Sequence, residues 1–198
     1  NSLGLVPIID YGTTEQKEKY LPQLTTGRQI WGFGLTEENA GSDARGTQTT
    51  AVRDGDEWVI NGTKRYITNA STPITLGVTL QVMTNDENGQ PKLTTILVEN
   101  GTPGYEAKRM LGKMMWRGAD TGQLTFTDCR VPYSNMLGKE GQGVRYMLKA
   151  LDGGRLSVGA MGLGLAQGAF EMALKHAKTR KQFGKTIGRN QAIAFKLA

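Results

Sequence analysis

At Pro132 the chain changes its pattern. From about residue 28 up to that proline, short β-rich runs are separated by turn residues. Beyond it, from 140 to 183, apolar residues recur at spacings of three and four. Such a division segregates strands from helices. It predicts a multidomain α and β chain: an all-β middle domain over 28–135, built as a small barrel or sandwich, between a short helical stretch at 1–27 and the first helices of a bundle at 136–198.

Inside the β-rich span the sharpest signals are turns. WVINGTKRYITN (58–69) sets Asn61-Gly62 between two strand-forming runs, which predicts a hairpin there, and RDGDE (53–57) offers another turn. IWGF (30–33) reads as a strand. Strands are also expected at TLGVTLQVMT (75–84), LTTILVEN (93–100) and GQLTFTDCRVP (122–132), with NDENGQP (85–91) as a loop. TTEQKEKYLPQLTTG (13–27) reads as a helix capped by Thr13 or Thr14 and closed by Gly27, with Pro22 expected to break or restart it. In the later helix the apolar stripe runs through Val144, Met147, Leu148, Leu151, Leu163, Ala166, Phe170, Ala173 and Leu174. Gly153-Gly154 mark an interruption or kink and Gly184 a terminator, and a further helix starts near Asn190. GLGLAQG (162–168) has the wrong spacing for a dinucleotide loop and follows no strand, so its glycines are read as close helix packing.

Composition narrows the chemistry. The single Cys129 rules out a disulfide framework or a paired-cysteine metal motif, and suits a reducing compartment. With His176 the only histidine, a His-based metal site has no ligand set, and RLSVG (155–159) lacks the first glycine of a nucleophile elbow. No apolar run approaches the ~18 residues of a membrane span. Charge is uneven: residues 1–100 carry 8 basic and 12 acidic side chains, net −4, and residues 101–198 carry 16 and 6, net +10. The basic half suits nucleic acid, headgroups or a phosphorylated small molecule, and a solvated helix face explains it equally.

GLTEENAGSD (34–43) leaves a strand through small, hydrogen-bonding residues. A surface turn accounts for some of them, and a turn whose backbone amides close on a bound anion accounts for all. Taken in order, FGLTEENAGSD (33–43), INGTKRYITNAS (60–71), LDGGRLSVGAMGLGLAQGAFEMALKHAKTRKQFGK (151–185) and NQAIAFKLA (190–198) resemble the acyl-CoA dehydrogenase family. TEQKEKYLPQL, VENGTPGYEAKRMLGKMMWRG and FTDCRVPYSNMLGKEGQG fit between them, so the resemblance covers essentially the whole chain.

The resemblance implies a helical domain, a middle β domain and a second helical domain. The opening NSLGLVPIID reads as the middle of a longer protein, so a fragment lacking most of the first domain and the end of the last is expected. It further implies FAD and the oxidation of an acyl-CoA thioester to a trans-2-enoyl-CoA, a base taking the α-proton while hydride moves to flavin N5. Cofactor contacts carried over are Phe33, Leu35, Thr36, Gly41 and Ser42; Tyr66, Ile67 and Thr68, with Tyr66 in place of the Trp of many members; Arg180, Gln182 and Phe183, in a segment that reaches a neighbouring subunit's FAD; and Gln191 as a further cofactor contact. Ser42, Asp152 and Arg155 are the substrate-side positions, although Asp152 and Arg155 also fit a plain i,i+3 pair.

No catalytic residue is assigned within the chain. In most members the general base, a Glu, falls beyond Ala198, and in the minority typified by isovaleryl-CoA dehydrogenases its position matches Gly154, which cannot act as a base. The 198 residues alone are therefore expected to be inactive, and Glu37 and Glu38 are read as structural or solvent-facing. Expected partners are an acyl-CoA, an electron-transferring flavoprotein and further copies of the chain in a dimer or tetramer; nucleic acid is not expected. The location implied is cytoplasmic in a bacterium and the mitochondrial matrix in a eukaryote. Acyl-CoA oxidases and flavin monooxygenases of the same fold are the alternative chemistry, and a nucleic-acid-associated relative is a distant one.

Overall fold

The computed structural model describes residues 2–198, in two compact units that divide after Leu151. The first unit opens with α1 (Ser2–Tyr11) and α2 (Thr14–Thr25). α1 falls within the helical stretch expected over 1–27, though sequence reading set it no bounds of its own: it contains Pro7 and is apolar without a clear period. Thr13 caps α2 in a reciprocal box with Gln16, and Gly27 (φ 72) follows its end. Pro22 does not break α2. It lies in the last turn, where the one backbone bond it removes was the carbonyl of Glu18, at an exposed position.

Seven strands then form one sheet, β1 (Ile30–Gly34), β2 (Thr50–Asp54), β3 (Glu57–Thr68), β4 (Thr75–Asn85), β5 (Pro91–Glu99), β6 (Tyr105–Arg109) and β7 (Thr121–Pro132), in the order β1-β4-β2-β3-β7-β6 with β5 on β4. β1 and β2 meet β4 in parallel; the remaining pairs are antiparallel. Inward side chains of β2 to β7, among them Trp58, Ile60, Leu80, Ile96, Leu124 and Phe126, share one core. Leu97, pointing the other way from Ile96 and Val98, joins Leu5, Ile8, Tyr20, Leu24, Trp31 and Leu137 in a second core under α1 and α2. β4 is therefore covered on both faces. Of its fully buried polar residues, Thr79 donates to Gly4 O and accepts from Trp31 Nε1, and Gln81 donates to Ala44 O and Thr47 Oγ1 while its own Oε1 is left without a partner among the described residues.

The expected hairpin at Asn61-Gly62 is absent. β3 runs straight through it, and the β2–β3 hairpin turns instead at Gly55-Asp56, between the paired Asp54 and Glu57. Gly62 (φ 142) serves a bulge, where the register with β7 shifts between Ile60 and Gly62. A Cβ there would lie 2.7 Å from Thr49 Cα, so the glycine answers close backbone approach rather than a reversal. Nine residue pairs with β7 along the twelve-residue strand outweigh a two-residue turn preference.

α3 (Gly143–Thr179) is one unbroken helix that passes through Gly153-Gly154 without interruption and continues into the second unit. It ends five residues before Gly184, which sits in the turn of a small hairpin, β8 (Lys181–Gln182) and β9 (Lys185–Thr186). α4 (Gln191–Leu197) follows, with Asn190 at its N-cap position. Of the expected stripe, Met147 is buried, whereas Leu163, Ala166, Phe170 and Ala173 are exposed in the second unit. Side chains added at Gly162, Gly164 and Gly168 would meet nothing within 4 Å, so the close packing expected of them is not made among the described residues. No helix among these residues is long and apolar enough to cross a membrane.

Candidate functional site

A cleft of about 430 Å³ is lined by Leu3 and Gly4 of α1, Trp31 and Phe33 of β1, Leu35, Thr36 and Gly41 of the loop after it, Tyr66 to Asn69 at the end of β3, and Leu151 of α3. Seven of the expected cofactor residues, Phe33, Leu35, Thr36, Gly41, Tyr66, Ile67 and Thr68, thus come together from two separate stretches. Gly4 lets α1 close the cleft, since a Cβ on it would lie 2.6 Å from Gly32 O.

One wall is built by a second bulge in β3. The register with β7 breaks between Lys64 and Ile67, and Tyr66 is held at φ 61, in the left-handed region. Lys64 and Ile67 are buried while the Tyr66 ring is 59% exposed, so the bulge turns an aromatic face outward into the cleft. The Arg65 guanidinium lies 5.5 Å from the ring centroid. A non-glycine residue held there stores about 1 kcal/mol or more of backbone strain, a cost that tends to mark functional sites. Tyr66→Asn, which tolerates this conformation, is expected to leave thermal stability unchanged or higher by up to about 1 kcal/mol, while weakening any flat-ring ligand. Thermal melts and ligand titration of the same variant check both halves.

Beneath the other wall lies a buried ion pair. Lys64 Nζ, with no exposed surface on its side chain, is 2.8 Å from Glu37 Oε1 and donates to Leu35 O at 3.2 Å. Glu37 also accepts from Thr49 Oγ1 (2.7 Å), Thr49 N (3.0 Å) and Gln48 N (2.7 Å). Burial alone would raise the Glu37 carboxyl; the Lys64 ammonium, the Thr49 hydroxyl and the Gln48 amide outweigh it and hold the carboxyl below its ordinary value. Burial pushes the Lys64 ammonium down to about 8, against the opposing pull of Glu37. Glu38 pairs with Arg65 at the surface. Neither acid is a free base: Glu37 is structural and Glu38 faces solvent, as expected.

The remaining expected positions are elsewhere. Ser42 is exposed and does not line the cleft. Asp152 and Arg155 pair with each other at 2.7 Å on the surface of α3. In the second unit Arg180 follows α3, Gln182 ends β8, Phe183 lies in the β8–β9 turn, Gln191 opens α4, and all four are exposed. Sequence reasoning missed Trp31, Asn69, the α1 contribution and Lys64. Only Lys64 carried a signal: it sits on the inward side of a strand, where a solvated lysine does not belong.

The cleft is largely apolar, with hydrogen-bonding groups along part of its lining. Trp31, Phe33, Tyr66 and Ile67 supply apolar surface, the Leu35–Thr36 backbone supplies hydrogen-bonding groups, and Gly41 has open space where a side chain would project. Fold and cleft together define a seven-stranded β unit with a largely apolar cleft beside β1 and the end of β3. The chain belongs to the acyl-CoA dehydrogenase family: residues 32–129 match its middle domain and residues 141–198 its C-terminal domain. It is 46% identical over its whole length to the probable acyl-CoA dehydrogenase YngJ of Bacillus subtilis, covering 52% of that protein. Among solved structures it is similar to butyryl-CoA dehydrogenase from Megasphaera elsdenii (41% identity, TM-score 0.89, 99% of this chain and 51% of that one). It is also similar to an acyl-CoA dehydrogenase complexed with FAD from Bacillus anthracis (33% identity, TM-score 0.91, 99% and 33%). The chain spans about half the length of the curated relatives it matches.

Proposed function

We propose that this chain supplies the flavin-binding part of an FAD-dependent acyl-CoA dehydrogenase. The observation that carries the reading is the convergence of the loop after β1 and the bulge of β3 on one cleft. When bound, FAD accepts the hydride removed from the acyl β-carbon. The chain's own residues bind and orient it: the Leu35–Thr36 backbone meets the polar ring edge, Tyr66 and Ile67 stack or pack on the ring, and Thr68 lies beside its reactive centre. Trp31 and Phe33 keep that surface dry, which strengthens polar interactions within it.

Among the described residues no carboxylate lines the cleft, so in this reading the base that takes the α-proton comes from outside that lining. Ser42 contacts cofactor and substrate, Asp152 and Arg155 exchange their mutual pairing for the acyl-CoA, and Arg180, Gln182, Phe183 and Gln191 serve the cofactor of another subunit in a dimer or tetramer with dihedral symmetry. An electron-transferring flavoprotein is the proposed acceptor.

The full-length protein is expected to purify yellow with FAD, to run as an oligomer in light scattering, and to bleach when an acyl-CoA is added without oxygen. A colourless protein that takes up no FAD on reconstitution overturns the reading, and bleaching only by reagents other than acyl-CoAs moves it to another chemistry of the same fold.

A further inference from the structure

We propose that the buried Lys64–Glu37 pair is the positioning device for the Leu35–Thr36 peptide, and that it sets cofactor affinity as well as stability; the proposal rests on the flavin reading above. Two successive carbonyls of the loop are held from one strand: Leu35 O by Lys64 Nζ at 3.2 Å and Thr36 O by the Arg65 backbone N–H at 2.8 Å. The described residues contain no cis peptide, so the Thr36 N–H points opposite to the Leu35 carbonyl of the same unit.

Lys64 does not line the cleft, whereas Leu35 and Thr36 do. A carbonyl drawn toward Lys64 therefore turns the Thr36 N–H toward the cleft, where an acceptor on the ligand's ring edge meets it. Glu37 fixes the ammonium in turn, and is itself fixed by the buried Thr49 and by the amide of the exposed Gln48, so the pair is held by several contacts at once. Lys64 touches neither ligand nor reacting atoms in this scheme; it acts through the peptide it orients.

The test uses the full-length, flavin-loaded protein and its apo form. The double variant Glu37→Gln with Lys64→Met keeps side-chain volume, removes both buried charges together and leaves Leu35 O without its donor. Val131→Ala, at the far end of the β3–β7 ladder, serves as a control for lost stability alone. FAD titration of the apo proteins at a temperature where each stays folded is expected to show a Kd at least about tenfold higher for the double variant, with a shifted visible flavin band, and a Kd within about twofold of the parent for Val131→Ala. A double variant that binds FAD within about twofold of the parent, with an unshifted spectrum, overturns the proposal. If that variant does not fold, Glu37→Leu with Lys64→Leu carries the same expectation. A parent protein that binds no FAD overturns the flavin reading itself, which separates the two failures.

Discussion

Replacing Lys64 by Ala is expected to cost about 3–5 kcal/mol of folding stability, because it leaves the Glu37 carboxylate buried without its cation. The pH dependence gives the sign. Glu37 has a folded value below its ordinary one, so its contribution is present above the unfolded carboxylate value and is lost as pH falls through the folded one. In the variant the charge and hydrogen bond of Lys64 are gone and only the Thr49 and Gln48 hydrogen bonds still oppose burial, so the carboxyl rises relative to the parent and the gain in stability with rising pH over that acid window shrinks. Lys64 works at the other end. Its folded value of about 8 lies below the ordinary 10.5, so between these the unfolded chain holds a proton that the folded one has released, and the parent gains stability as pH rises. Urea melts of parent and variant from acid to alkaline pH measure both slopes. A loss below about 1 kcal/mol with parallel profiles would show that the pair contributes little.

Gly77→Ala is the second large effect. An added Cβ would lie 2.4 Å from Val98 O and 2.8 Å from both Cη2 and Cζ3 of Trp31. Neither neighbour yields easily. Val98 is paired with Val78 in the β4–β5 ladder, and Trp31 is buried with its indole N–H bonded to Thr79 Oγ1 at 2.8 Å. Overpacking of this kind costs about 1–3 kcal/mol, and more where backbone must move. Trp31 also lines the cleft, so the displaced ring is expected to narrow it and weaken FAD together with stability. Chemical denaturation and FAD titration of one preparation test both; undiminished FAD affinity at reduced stability would show that Trp31 moves away from the cleft.

Much of the architecture was legible because it depends on local chemistry. The capping residues of α2, the loop between β4 and β5 and the long run of helical spacing each answer to neighbours within a few positions. Asn61-Gly62 shows the limit of that logic. Its turn preference is local, and the register of β3 against β7, set by residues some seventy positions away, overrode it. Gly184 misled for a related reason: a left-handed glycine closes a hairpin as readily as it ends a helix, and the β8–β9 pairing selects the hairpin.

The sequence by itself singled out, through a family resemblance, two separate stretches, 33–43 and 66–68, residues of which the fold brings to one cleft. It also determined that strands and helices would segregate, since their apolar periods differ. Only the tertiary structure decided that Tyr66 turns outward, because that follows from a bulge defined by the partner strand. Only the tertiary structure placed Lys64 against Glu37 and Leu35, because a charge enters a core solely where another chain segment brings its counter-charge and acceptors within hydrogen-bonding distance.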